Sequence, residues 1–354
     1  MSEPKPPTLP RHLKPGVPAG EPVQGRRVWA RPKLWLAWGL GLGLLAWMLA
    51  HTPWSKAAAA LARPAPEVWA LTLFGLLCSY ALRAARLQVV LDLDAHHRPP
   101  HRWLGLRTDA LRVILMHNAA VNLLPMRAGE LSFPWLASRE LQLSLPRAVA
   151  CLLWMRVQDL VVLLVLGVLL WPGLDWALRL GALASLAGGW QVGAWLLKRW
   201  FDGHDPEAMA AGPHAGLVAR LRAVLLRVRA ALLEPAHHHP LAWLLTAANW
   251  ALKLAAGATL LSAISGAPWL TAWAGALGGE LAAIVPLQGP AGFGTYEAGV
   301  WAGFAANLSR QAAPLALAVS AALALHLCFL VCAVLAGALA ALLGPGKLAT
   351  TPQP

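Results

Sequence analysis

Residues 313–343 read APLALAVSAALALHLCFLVCAVLAGALAALL, 31 positions without one Asp, Glu, Lys or Arg. Wound as an α-helix at ~1.5 Å per residue, such a run more than crosses a hydrocarbon core of ~30 Å. Five further blocks, 34–50, 68–91, 148–171, 176–197 and 241–264, are long enough to cross or nearly so. Two shorter or more polar stretches, 103–124 and 271–286, accompany them. Backbone groups in lipid must be satisfied within the segment, so apolar blocks of this length are helices. Composition agrees: of 354 residues 58% are hydrophobic and only 13% charged, where a soluble chain carries roughly a quarter. The expected fold is an all-α polytopic membrane protein with about six full transmembrane helices.

The net charge of +13 lies in the connections. Residues 1–33 hold seven Lys or Arg, 51–67 two, 92–110 three, 172–175 none, 198–240 six and 265–270 none. This alternation is what the positive-inside rule predicts for a cytoplasmic N-terminus in a bacterial inner membrane. It argues against nucleic acid as the partner. Residues 1–33, Pro-rich and basic, read as a disordered tail, and 34–50 as an uncleaved anchor. The transmembrane domain expected is 34–343, with a short tail at 344–354. Within 198–240, Leu217, Val218, Leu221, Val224, Leu225, Val228 and Leu232 form one helical face bordered by Arg220, Arg222, Arg227 and Arg229. Such a helix lies in the membrane interface or packs on the bundle.

Counting crossings from that N-terminus leaves two stretches that return to the side they entered. One is 103–137, turning at Pro125; the other is 271–308, turning around Pro286. The expected architecture therefore adds two broken, re-entrant helical hairpins of opposite orientation, an inverted repeat of the kind that builds a midplane substrate site.

Each turn carries polar chemistry. The first reads Asn122-Leu-Leu-Pro125-Met-Arg127-Ala-Gly129-Glu130. Irregular backbone at membrane depth survives only against protein or a water-lined cavity, and ionisable groups there mark a functional site by default. Arg127 is suited to grip a phosphate at two points, with Glu130 keeping the empty site neutral. The bland alternative is an ordinary loop after a short helix. The second stretch runs from Glu280 through Pro286, Gly289, Gly292 and Gly294 to Glu297. Gly292 and Gly294 let backbone amides converge on an anion, and a helix starting near Thr295 would add its N-terminal dipole. A structural hinge is the rival reading.

Other charges interrupt the apolar blocks. Arg156 and Asp159, three residues apart, can pair on one helix. Lys253 has no local partner. Arg83 and Arg86 sit near the end of their helix, where snorkelling to the surface is the simpler explanation. Cys78, Cys151, Cys328 and Cys332 fall inside apolar blocks and behave as small hydrophobes, with no disulfide framework. The clusters His96-His97 and His237-His238-His239 lack companions at ligand spacing, so no metal or other cofactor is called for.

Taken together, the Asn-x-x-Pro-x-Arg-x-Gly-Glu of 122–130, the Arg-x-x-Asp of 156–159 and the Pro…Gly-x-Gly-x-x-Glu ending at Glu297 resemble the membrane domain of lysylphosphatidylglycerol synthases. That domain also occurs alone, as a flippase-like inner-membrane family. The resemblance covers about residues 34–343 and departs from the pattern at Ala291, where a second glycine is common. It implies movement of lipids or lipid-linked headgroups between leaflets. The synthase's aminoacyl-transferring domain is not expected in this chain, so it is not expected to be an enzyme. The resulting expectation is a translocator of an anionic or polyprenyl-linked headgroup. Its substrate-binding residues would be drawn from Asn122, Pro125, Arg127, Gly129, Glu130, Arg156, Asp159, Glu280, Pro286, Gly289, Gly292, Gly294 and Glu297. Two alternatives stand beside it: a non-transporting partner of a glycosyltransferase or lipid-modifying enzyme, and a secondary transporter for a small anion.

Overall fold

A computed structural model describes residues 54–93, 102–103, 105–124, 129–201, 238–284, 290–309 and 313–344. The basic tail 1–33, the block 34–50, the amphipathic face 217–232 and residues 345–354 lie outside the described residues.

Ten α-helices account for most of what is described. They are α1 (Trp54–Leu61), α2 (Pro66–Leu91), α3 (Thr108–Leu123), α4 (Ser132–Glu140) and α5 (Leu145–Leu170), then α6 (Trp176–Phe201), α7 (Pro240–Ser265), α8 (Trp269–Ala282), α9 (Thr295–Ala305) and α10 (Ala313–Leu342). By length and composition α2, α5, α7 and α10 qualify as membrane spans, and the chain is a multi-pass membrane protein. Helix α6 is continuous over 26 residues but is not among those four.

Local sequence sets the ends. Helices α2, α5 and α7 each take a proline in the first turn, where the missing N–H costs nothing. The His239 ring accepts from the Leu241 N–H at 3.1 Å to cap α7. At its other end Gly266, at φ 76°, supplies the left-handed residue that stops it.

The stretch expected to enter as a helix at 103 begins instead as a two-stranded ribbon, Arg102–Trp103 against Leu106–Arg107. The reason is local. Gly105 turns the chain at φ 78°, and the buried Arg107 is held by both oxygens of Asp109 (2.7 and 3.1 Å) and by the Leu93 carbonyl (3.0 Å).

Two helical hairpins pack into the spans. Helices α3 and α4 form one and α8 and α9 the other; α3 also lies on α10, and α7 lies between α2 and α8. The α8–α9 pair meets backbone to backbone. A Cβ on Gly303 would run into the Ala274 carbonyl, and one on Gly278 into that of Gly299. Small residues that let membrane helices approach closely are how such pairs gain van der Waals contact without a hydrophobic driving force. Residues 125–128 and 285–289, the centres of the two expected breaks, lie outside the described residues.

Candidate functional site

The polar groups that interrupt the apolar helices do not scatter. They converge. Arg156 and Lys253 lie near the middle of α5 and α7, and His326 near the middle of α10. The ends of α3 and α8 and the start of α9 arrive at the same level, around a cavity of about 570 Å³.

Asp159 is the hub on one wall. Its Oδ1 accepts from Arg86 Nη1 at 2.6 Å and from the Trp250 indole at 2.9 Å, and its Oδ2 accepts from Arg156 at 3.2 Å. Arg156 reaches on to Glu130, with Nη2 at 2.8 Å from each carboxylate oxygen. Behind it His117 lies 3.4 Å from Arg156 Nη2 and 3.1 Å from the Ser132 hydroxyl. Arg86 also donates to Thr246 at 3.1 Å. Charges at this depth persist when paired or hydrogen-bonded, because each stranded one costs several kcal/mol.

The opposite wall holds two further pairs. Lys253 donates to Glu280 at 2.7 Å, and its ammonium sits over the Trp250 and Phe329 rings at 5.1 and 4.6 Å. His326 Nδ1 lies 2.6 Å from Glu297 Oε1, and its Nε2 lies 2.9 Å from the Ala291 carbonyl. A carbonyl only accepts, so Nε2 carries a hydrogen. One more proton must then lie between Nδ1 and the carboxylate. Whichever partner owns that proton, the pair has no net charge.

The residues expected from sequence fall into three groups. Asn122, Arg156, Asp159, Glu280 and Gly292 line this cavity. Pro125, Arg127, Pro286 and Gly289 lie outside the described residues. Gly129, Glu130, Gly294 and Glu297 support the wall without lining it. Gly129 packs against the backbone of Ala120, where a Cβ would collide, and Glu130 clamps Arg156.

Gly294 and Glu297 bond to each other. Helix α9 does start at Thr295, but Glu297, fully buried, turns back to accept the Gly294 N–H at 2.7 Å. The protein's own carboxylate satisfies that N-terminal amide, so Gly294 serves as the cap of α9.

Arg86 and Arg83 do not snorkel. Arg86 is 4% exposed and paired with Asp159. Arg83 turns inward to Asn118 (2.8 Å), Asn249 (3.2 Å) and the face of Trp250 (5.4 Å). Inward partners on α3, α5 and α7 outcompete the surface. With Lys253 and His326 these are site residues missing from the expected set. The signal for them was present, since each is an ionisable group inside an apolar block. Their partners, however, lie up to 166 positions away along the chain.

Ala291, the residue that departs from the family-like pattern, sits at φ 52°, with φ 84° following at Gly292. A residue with a Cβ pays ~1–2 kcal/mol in that left-handed region. Ala291→Gly is expected to raise the melting temperature in detergent, by up to about 1 kcal/mol of stability once the added freedom of the unfolded chain is deducted. A lower melting temperature would show that the Ala291 methyl packs more than it strains.

A family model for the lysylphosphatidylglycerol synthase TM region matches residues 34–337. The chain belongs to this family. Both hairpins, the ion-pair hub and nearly all of α10 fall inside the matched residues, so the cavity is part of the family's membrane domain. No curated protein and no solved structure matches the chain.

Among the described residues no group of three His, Cys, Asp or Glu is placed to hold a metal ion. His96, His97 and His237 lie outside them, while His238 stacks edge-on against Trp154 at 4.6 Å. All four cysteines are free thiols.

Proposed function

We propose that the chain is a lipid translocator that moves an anionic or lipid-linked headgroup across the bacterial inner membrane, without transforming it chemically. The observation that carries this reading is the shape of the cavity. Leu153, Val157 and Leu160 recur on one face of α5, line the cavity and remain 48%, 38% and 42% exposed. Ile284, in the turn just past α8, lines it too and is 43% exposed. Apolar side chains exposed at mid-span face hydrocarbon, so the charged interior opens sideways onto lipid. A headgroup can enter among the ion pairs while its acyl chains stay outside. A carrier for a small water-soluble anion has no use for such a side, which favours the lipid reading over that alternative. In this reading the α3–α4 and α8–α9 hairpins enter the membrane and turn back, bringing their polar ends to the cavity. The Lys/Arg distribution supports a cytoplasmic N-terminus.

The test is transport in vesicles. Reconstituted protein is expected to expose inner-leaflet fluorescent phosphatidylglycerol to a membrane-impermeant quencher many times faster than protein-free vesicles do. The lateral side is probed by Val157→Trp, which fills the opening and should slow that movement. Identical rates with and without the protein, across a panel of anionic lipids, would sink the proposal.

A further inference from the structure

Among the described residues, the ion pairs around the cavity leave one cation over. Arg83, Arg86, Arg156 and Lys253 supply four positive charges there. Glu130, Asp159 and Glu280 supply three negative ones. The Glu297–His326 pair adds nothing in either protonation arrangement. Arg86 and Arg156 are held by Asp159 and Glu130, and Lys253 is held by Glu280. Arg83 is the one whose oxygen partners are neutral: the amide oxygens of Asn118 and Asn249.

Those two amides do more than fill space. They take the Nε hydrogen and one Nη1 hydrogen, from two different helices, and hold the guanidinium over the Trp250 ring. No acceptor among the described residues occupies Nη2, and Arg83 lines the cavity. A guanidinium held this way presents its remaining N–H groups as a preset fork, which matches the geometry of a phosphate's oxygens. The unbalanced charge is also what an anion must find, because entry of an anion into a fully neutralised, low-dielectric site strands a charge.

We propose that Arg83 is the anion receptor of the cavity and binds the phosphate of a lipid whose acyl chains leave past Leu153, Val157 and Leu160. The ligand class is a phosphomonoester or phosphodiester; a free phosphate shares that chemistry and lacks the tail. The route of the lipid rests on the translocation reading, but the binding does not.

Asn249 offers a test that leaves Arg83 in place. Its Nδ2 is buried and has no hydrogen-bond partner among the described residues, so Asn249→Asp loses no donor contact there while giving Arg83 a carboxylate at the position of the present amide oxygen. The full chain in detergent would be titrated with dioctanoyl phosphatidylglycerol, inorganic phosphate and dioctanoylglycerol, with binding read as affinity and as melting shift. The wild type is expected to bind the phosphatidylglycerol at least tenfold more tightly than either of the others. Asn249→Asp is expected to melt no lower than the wild type and, like Arg83→Gln, to lose at least tenfold in affinity for phosphatidylglycerol. Binding by Asn249→Asp within threefold of wild type would overturn the assignment, even if Arg83→Gln fails to fold. Equal affinity for phosphatidylglycerol and dioctanoylglycerol would overturn anion recognition, and equal affinity for inorganic phosphate would overturn the lipid. If the wild type binds as expected yet moves no lipid in vesicles, the translocation reading falls and the receptor stands. If lipid moves but both variants bind unchanged, the reverse holds.

Discussion

Asp159→Ala is expected not to accumulate as a folded membrane protein. Asp159 is 4% exposed and accepts from Arg86, Arg156 and Trp250 at once. Removing it strands the charge of Arg86, which has Thr246 as its remaining partner among the described residues, and takes one of two carboxylates from Arg156. Breaking a buried pair from one side costs ~3–5 kcal/mol. For a domain of this size that corresponds to a melting temperature lower by on the order of 10 °C. Asp159→Asn keeps the shape and the Trp250 contact but not the charge, so it should fall nearly as far. The pair Arg86→Met with Asp159→Leu removes both charges together and leaves Arg156 on Glu130. It is expected to recover most of the loss, in yield and in melting. A double variant as unstable as the single one would mean that Asp159 matters for its packing and not for its charge.

The second large effect is steric. Gly303→Ala adds one methyl group, and that methyl lands on the Ala274 carbonyl of the neighbouring helix. Overpacking usually costs ~1–3 kcal/mol because side chains shift to relieve it. Here the obstacle is backbone, so α8 and α9 must part along their length. The expected outcome is aggregation or a melting loss at the upper end of that range, together with loss of the cavity wall that α9 carries. Gly337→Ala is the matched control, since its methyl would sit 3.7 Å from the Ala119 Cβ in ordinary contact. Equal melting of the two variants would show that α8 and α9 do not approach as closely as described.

Much of the architecture is legible in the sequence because it depends on short range. Apolar blocks, prolines at their heads and, for α7, a glycine at the tail place 66–91, 145–170, 240–265 and 313–342 to within three residues of the expected blocks. The pairing of Arg156 with Asp159 is of the same kind, three residues apart on one helix. What could not be read is which face of each helix meets which neighbour. Lys253 has no partner nearby, yet Glu280 meets it from the next helix. Arg86 lies near a helix end, which favours snorkelling only if nothing inward competes, and Asp159 does. Glu297 is legible at short range as well, since a carboxylate three residues after a turn glycine is the acid of a helix cap.

The hub also bears on how the chain is built. A ribosome makes Arg86 long before its counterion; Asp159 follows 73 residues later and Thr246 only after 160. An arginine costs an inserting helix ~2.5–3.5 kcal/mol on the translocon scale at the centre, and less toward an end, where Arg83 and Arg86 lie. Helix α2 carries two, offset at first only by its own apolar residues. Helix α5, by contrast, emerges with Arg156 and Asp159 already within reach of each other. The salt bridge that organises the mature cavity therefore forms only once α5 has been synthesised, and the Thr246 contact only once α7 has.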